Sequence, residues 1–338
     1  MRPEHLALLA CPDCHGELTL RAKPVVASDH VVTGVAVCRL CASQYPIVRG
    51  VPRFVSSDNY ARGFGFQWAR HPRLQLDSYT GIGASRSRFF SESGWPCDMP
   101  GELILEVGSG AGRFTEQAAR TRATVVSIDY SDAVDVNYSN HEALRNVLIV
   151  QADIYRLPIR PGSVDRVFCF GVLQHTPDPA RAFRALPPCL KPGGSLAVDV
   201  YLKHRGVTRL FDTKYWVRPL TRRIPHRALY RLVSAYIHCV WPLASIVGRI
   251  PRVGVRINWK LLVSDCRVSL NLPDGLLEEW AILDTFDMLA PAYDSPQSVQ
   301  DVRTWCESAR LHDSRIAIAD ALVVARGSMA RAAGSRAS

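Results

Sequence analysis

The sequence predicts an α/β protein in three parts: a small metal-bound ribbon, a parallel sheet wrapped by helices, and a helical cap inserted before the sheet is completed. Three observations carry this. Short apolar strands alternate with helical stretches between residues 101 and 201, the pattern of a parallel sheet. Two C-x-x-C pairs, Cys11/Cys14 and Cys38/Cys41, precede that alternation. A segment from 205 to 270 breaks it, with a 17-residue stretch free of charge between Arg231 and Arg249.

The 338 residues leave room for about two domains of ordinary size. With 47% hydrophobic and 21% charged residues, a disordered or collagenous chain is excluded. The only early apolar run is 6–10, too short for a signal peptide, so a cytoplasmic location is expected. The ten cysteines then need a reason other than disulfides. The net charge of +10 is uneven. Residues 201–260 hold 13 Lys/Arg against one acid, Asp212, and the remainder of the chain is close to neutral. The question of an anionic partner therefore belongs to that segment.

In the first part, each C-x-x-C sets two sulfurs on one tight turn. Two such turns make a tetrahedral thiolate site when strands bring them together. Residues 18–20 and 31–37 read as those strands, with a turn at Ser28-Asp29-His30. Four thiolates and no open position suit structural zinc on Cys11, Cys14, Cys38 and Cys41. Gln44-Tyr45-Pro46-Ile47 and Gly50-Val51-Pro52-Arg53-Phe54 resemble the end of the small zinc-ribbon activator of RNA and release-factor methyltransferases. The resemblance covers 1–55 and implies a ribbon fused to a methyltransferase.

The second part opens with the apolar strand 103–107, which contains Glu106, followed by Gly108-Ser109-Gly110-Ala111-Gly112 and a helix over 113–120. Glycines at a strand-to-helix turn let the backbone approach a ligand. A dinucleotide fingerprint would place glycine at 113, where this chain has Arg113. A second strand, 124–128, ends at Asp129. A third, 147–151, leads to Asp153. A fourth, 165–170, leads to Gln174-His175, and a fifth spans 195–201. In order and spacing these positions resemble class I S-adenosylmethionine methyltransferases. The resemblance implies a Rossmann-like seven-stranded sheet. It also implies a cofactor site of Glu106, Gly108, Ser109, Gly110, Gly112, Asp129, Tyr130, Asp153, Ile154 and Phe170. Asp129 would hold the ribose hydroxyls and Asp153 the adenine amino group. Pro187-Pro188 departs from that family, which continues a helix there.

Gly63-Phe64-Gly65-Phe66-Gln67-Trp68 is similar to text in zinc-ribbon methyltransferases. Gln67 and Trp68 are expected in a lid over the cofactor, or as core packing under the first helix. The stretch 232–248 reads as a helical cap packed on the sheet, with an interfacial membrane helix as the alternative. After the cap, 295–309 reads as a helix, and 314–319 with 321–325 as a closing hairpin. The expected division is 1–55 ribbon, 56–100 linker and lid, 101–204 cofactor core, 205–275 basic cap, 276–326 core completion and 327–338 disordered tail.

Methyl transfer to a hydroxyl needs alignment and a proton acceptor. His175 lies just past the fourth strand, and an imidazole titrates near neutral pH. Asp199 and Tyr201, near the end of the fifth strand, are the runners-up, and Asp284, Asp287 and Tyr293, the last also a catalytic candidate, lie within reach of the same mouth. The expected acceptor is a small molecule, a sugar or a glycan- or lipid-linked group, with peripheral membrane contact through the basic cap. RNA is the second enzyme reading, although the N/D-P-P-Y/F motif of base-amine methylases is absent. A non-catalytic zinc-ribbon scaffold is the third.

Overall fold

The computed structural model describes residues 1–21, 24–27, 29–56, 58–203 and 213–331. Five short strands form the N-terminal module: β1 Leu18–Leu20, β2 Val25–Ala27, β3 His30–Cys38, β4 Gln44–Val48 and β5 Val51–Pro52. They pair antiparallel in the order β1-β3-β4-β5, with β2 on the other end of β3. Alternation sets the inner face at Ala36 and Cys38 of β3 and at Tyr45 and Ile47 of β4, and Val31, in the opposite phase beside a register shift in the β2 pairing, is buried as well. The β2–β3 pairing closes from Ala27 to His30, where the sequence places a turn. Ser28 of that turn lies outside the described residues.

The second sheet has seven strands: β6 Leu103–Val107, β7 Thr124–Asp129, β8 Val147–Gln151, β9 Val164–Cys169, β10 Leu190–Tyr201, β11 His312–Ala319 and β12 Leu322–Ser328. Their order is β11-β12-β10-β9-β6-β7-β8. The first five run parallel and the last two form an antiparallel hairpin beside β10. Helices cover both faces, so the parallel strands are apolar without alternation. Ile104, Leu105, Val125, Val126, Leu148 and Val150 are all buried. The chain order reverses between β6 and β9, which opens a crevice at the carboxyl ends of these strands.

The helices are α1 Arg62–Arg70, α2 Asp77–Thr80, α3 Ala84–Ser93, α4 Thr115–Ala119, α5 Ala133–His141, α6 Pro179–Arg184, α7 Lys214–Thr221, α8 His226–Val247, α9 Gly254–Lys260, α10 Asp274–Leu289 and α11 Val299–Ser308. In α8, Leu229, Val233, Ile237, Trp241 and Ala244 repeat every three to four residues. They pack on Leu277, Trp280, Ala281 and Phe286 of α10, giving a second core beside the sheet. The expected start of the cap, 205–212, lies outside the described residues.

Several boundaries differ from the sequence reading. The fifth strand starts at Leu190, with a register break before Ser195. The first helix after the glycine turn starts at Thr115, because turns occupy 110–114. Pro187-Pro188 opens a short 3-10 turn, Pro187–Cys189. The last helix starts at Val299, where Ser298 and Asp301 form a capping box. The sheet also runs on to Ser328, and Gly193 N–H donates to Ala330 O at 3.1 Å. The segment expected as a tail is therefore paired over its first residues, and 332–338 lie outside the described residues.

The ribbon closes the far edge of this sheet. Phe54 N–H donates to Gln151 O at 2.8 Å, and Arg53 bridges Gln151 in a parallel sense. The Arg53 guanidinium, 7% exposed, donates to Gln151 Oε1 at 2.8 Å and to Asp135 Oδ1 at 2.5 Å. Ala10 N–H donates to Pro158 O at 2.9 Å, Arg2 reaches Leu144 O at 3.0 Å, and Arg156 pairs with Asp13. An open β8 would offer unpaired backbone groups to another chain. Arg53→Ala removes the buried cation and leaves Gln151 and the partly exposed Asp135 without it. Urea unfolding should show a loss of about 1–3 kcal/mol, with faster proteolysis between the ribbon and α1. An unchanged midpoint would mean that Arg53 does not hold the modules together.

Candidate functional site

The site is built on the reversal after β6. Gly108 N–H and Ser109 N–H both donate to Ile128 O, at 2.7 and 3.1 Å. Gly108 and Gly112 have φ of +88° and +96°, the left-handed region that favours glycine. A Cβ at Gly108 would lie 2.1 Å from Val172 Cγ2, and one at Gly112 would lie 2.3 Å from Asn137 Oδ1. Trp68 of α1 lies over the turn, its Nε1 2.9 Å from where a Gly110 Cβ would be. At the end of β7, Asp129 Oδ2 accepts from Gly110 N–H at 2.8 Å. Its Oδ1 accepts from Ser131 N–H at 2.8 Å and Ser131 Oγ at 2.7 Å. Burial raises the pKa of Asp129, while these bonds to Ser131 and Gly110 oppose the rise.

A cavity of about 670 Å³ opens over this turn. Of the expected cofactor residues, Gly108, Ser109, Gly110, Asp129, Tyr130, Ile154, Phe170, Gln67 and Trp68 line it. Three do not. Glu106 lies beneath the turn, where Thr115 Oγ1 and Ser127 Oγ donate to its Oε2 at 2.5 and 2.7 Å. Gly112 packs against α5. Asp153 caps the 3-10 turn Ile154–Arg156, accepting from Tyr155 N–H at 2.9 Å.

His175, Tyr201, Asp284 and Asp287 line the cavity, whereas Asp199 and Tyr293 do not. The His175 ring lies between Phe64 and Tyr201, with centroids 5.2 and 5.5 Å away. Asp199 is fully buried and stands off the wall. It pairs with Arg88 of α3 and accepts from Gly171 N–H at 2.5 Å. Tyr293 lines a separate groove; its ring packs edge-on against Tyr60 of the cavity wall at 5.3 Å, and its carbonyl oxygen lies 3.0 Å from His175 Nδ1. Asp287 lines the cavity and accepts from Gln67 Nε2 at 3.3 Å. Its pKa is raised by burial, with His175 opposing. Burial and Asp287 push Asp284 up to about 6.

Sequence reasoning missed Arg113 and Arg88, both on the cavity wall. The Arg113 guanidinium stacks 5.1 Å from Phe114 and 5.9 Å from Trp280, and burial with the nearby Arg88 brings it down to about 10. The one signal for Arg113 was its place where a dinucleotide fingerprint has glycine. Nothing in the local sequence marks Arg88, whose partner is 111 residues away.

S-adenosylmethionine fits these residues. Ser109 Oγ, on the wall, is buried without a hydrogen-bond partner, and a ligand amine or carboxylate would satisfy it. Asp129 keeps acceptor capacity for ribose hydroxyls. Ile128, Ile154 and Phe170 give the apolar walls that a purine ring needs. Zinc fits the ribbon. The four Sγ atoms of Cys11, Cys14, Cys38 and Cys41 lie within 4.8 Å of one another, with Cys11–Cys41 at 3.6 Å and Cys14–Cys38 at 3.5 Å. Tetrahedral Zn–S bonds of about 2.3 Å put sulfurs roughly 3.8 Å apart. The Leu40 and Cys41 N–H groups lie 3.4 and 3.5 Å from Cys38 Sγ, as donors to a thiolate would.

Burial pushes the Glu106 carboxyl up to about 7 from its ordinary value of 4.5, against the two hydroxyl bonds. With its folded pKa raised, this group favours the native state below about 4.5. Its contribution is lost as pH rises through 7. Glu106→Gln removes that dependence while keeping an acceptor for Thr115 and Ser127. Urea unfolding should find the variant more stable relative to the parent at pH 8 than at pH 5, by about 1–3 kcal/mol. Parallel pH profiles would contradict this burial.

Residues 105–198 match the family model of a methyltransferase domain, and residues 2–50 that of Trm112p-like proteins. A ubiquinone biosynthesis O-methyltransferase of Xanthomonas campestris pv. campestris is 38% identical over 105 residues, 29% of this chain and 42% of that protein. The chain thus spans less than half the length of that curated relative. An uncharacterised chloroplastic methyltransferase of Arabidopsis thaliana is 25% identical over 58% of this chain and 62% of its own length. A crystal structure of a SAM-dependent methyltransferase from Aquifex aeolicus aligns with 78% of this chain and 98% of its own, at 13% identity and a TM-score of 0.42. The chain carries a Rossmann-like, S-adenosylmethionine-binding methyltransferase domain, joined in one polypeptide to an N-terminal Trm112p-like zinc ribbon.

Proposed function

We propose that the protein is an S-adenosylmethionine-dependent methyltransferase that methylates an oxygen of a small-molecule, sugar or glycan- or lipid-linked acceptor by in-line transfer. The reading also places it in the cytoplasm, with peripheral membrane contact through the basic cap. The observation that carries the reading is one continuous cavity with two unlike halves. The half over the glycine turn has Asp129 and the unpartnered Ser109 hydroxyl. The other half has His175, Asp284 and Asp287.

When bound, S-adenosylmethionine supplies an electrophilic methyl group on a sulfonium. Asp129 and the glycine turn bind and orient its nucleoside, and Trp68 with Phe64 excludes water from the space between the two halves. His175 serves as the base. Tyr293 O can only accept a hydrogen bond, so it holds the proton on Nδ1 and leaves the lone pair on Nε2. Nε2 can then take a proton from an acceptor hydroxyl. Asp287 lines the same half of the cavity and accepts from Gln67 Nε2 of the lid helix. The relatives' O-methyltransferase name supports oxygen as the acceptor atom. An RNA acceptor is the second reading, favoured by the charge of the cap, but most side chains that wall this cavity are buried or half-buried rather than set on an exposed stacking platform.

Asp129→Ala tests the reading. Loss of two charge-assisted ribose hydrogen bonds should weaken S-adenosylmethionine binding ~30- to 1000-fold by calorimetry, with unchanged circular dichroism. Cofactor labelled in its methyl group, incubated with extracts fractionated into RNA, lipid and soluble metabolites, should pass label to the lipid or metabolite fraction. Unchanged binding in the variant, or label in RNA alone, would overturn the assignment.

A further inference from the structure

The helix α8 is apolar on two sides. One side packs on α10. The other is open: Leu232, Leu243 and Ile246, spaced by three turns and then one, are 59%, 65% and 63% exposed. A helix of a soluble domain normally keeps one apolar face. Its neighbours continue the open surface, with Trp216 and Leu220 exposed on α7 and Ile257 and Leu261 exposed on or beside α9. So large an outward apolar area marks an interaction surface.

The charge carried by these helices themselves is of one sign, and the acids nearest α8, Glu278 and Asp274 of α10, meet it at His238 and Trp241. From 213 to 264 there is no Asp or Glu, against ten Lys/Arg. Arg222, Arg223, Arg227 and Arg231 stand exposed at one end of α8, and Arg249, Arg252 and Arg256 at the other. An apolar stripe with cationic ends complements an anionic surface with an apolar interior, which is a bilayer containing acidic lipid. A second copy of this chain fits less well, because two such faces would set arginines against arginines. An RNA backbone would use the arginines and leave the stripe uncovered. Among the described residues no helix is long and apolar enough to cross a membrane, so α8 would lie on the bilayer rather than span it.

The cavity is connected to this surface. Lys214 and Tyr215 of α7 and Trp259 of α9 line it, and these helices bear the exposed Trp216, Leu220 and Ile257. We propose that α7, α8 and α9 form a docking face for anionic membrane that turns the cavity towards the lipid, so that the acceptor is a membrane-resident molecule. The claim about the acceptor rests on the methyltransferase reading above; the docking claim stands apart from it.

The test is co-sedimentation of the full-length protein with vesicles of phosphatidylcholine containing about one third phosphatidylglycerol. The protein should sediment with these vesicles at low salt and bind phosphatidylcholine alone at least tenfold more weakly. The double variant Leu243→Glu/Ile246→Glu should weaken binding at least tenfold, and Arg249→Gln/Arg252→Gln should weaken it mainly at low salt. Both variants should keep parental cofactor affinity by calorimetry, which shows that they are folded. Failure of the parent to sediment, parental binding by both variants, or binding to RNA but not to vesicles overturns the proposal. Vesicle binding without cofactor binding would leave the docking face standing and refute the methyltransferase reading.

Discussion

Three parts of the chain occupy the space that side chains at 108, 110 and 112 would need. Val172 follows β9, Trp68 belongs to the lid helix α1, and Asn137 and His141 belong to α5. A glycine turn packed on three sides cannot move independently of those elements. The reversal after β6 therefore fixes the floor of the cavity, its lid and the base of α5 together. Asp129 joins the same unit, because one of its oxygens holds the Gly110 N–H. Cofactor geometry and core packing are one constraint here, so substitutions at these glycines act on both.

The ribbon enters the same unit from the other side. Arg53 reaches Asp135 on α5 and Gln151 at the end of β8, and Asn137 of that helix closes on the glycine turn. Zinc holds the two cysteine turns, the turns hold β3 and β4, and β4 and β5 carry Arg53 to the sheet edge. A fused ribbon thus buttresses the cofactor half without touching the cavity. The other half of the cavity is built from His175 after β9 and from α7, α9 and α10, with the second core between α8 and α10.

Much of the sheet is legible in the sequence. Parallel strands buried on both faces read as short apolar runs, and β6 and β8 stand where those runs do. Asp129, at the end of β7, marks the crevice, whereas Glu106 and Asp153 near other strand ends are satisfied by the protein's own hydroxyl and N–H donors. Strand β10 shows the limit of this logic: Asp199 looks like a candidate by position, but its side chain turns inward to Arg88. Residues joined only by tertiary packing, such as Arg88 with Asp199 and Arg113 with Trp280, leave no local pattern. The start of α8 at His226 lies six residues before the charge-free stretch begins, because helix formation depends on the buried Leu229 as well as on the apolar run.

The central claim is that the cavity over the glycine turn is a cofactor site facing an acceptor pocket. A crystal structure of the protein with S-adenosylhomocysteine tests it most directly. The account predicts the ribose hydroxyls on Asp129, the amino-acid end near Ser109, and the sulfur directed towards the half lined by His175 and Asp287. A folded protein that binds the ligand elsewhere, or with its ribose away from Asp129, would contradict it.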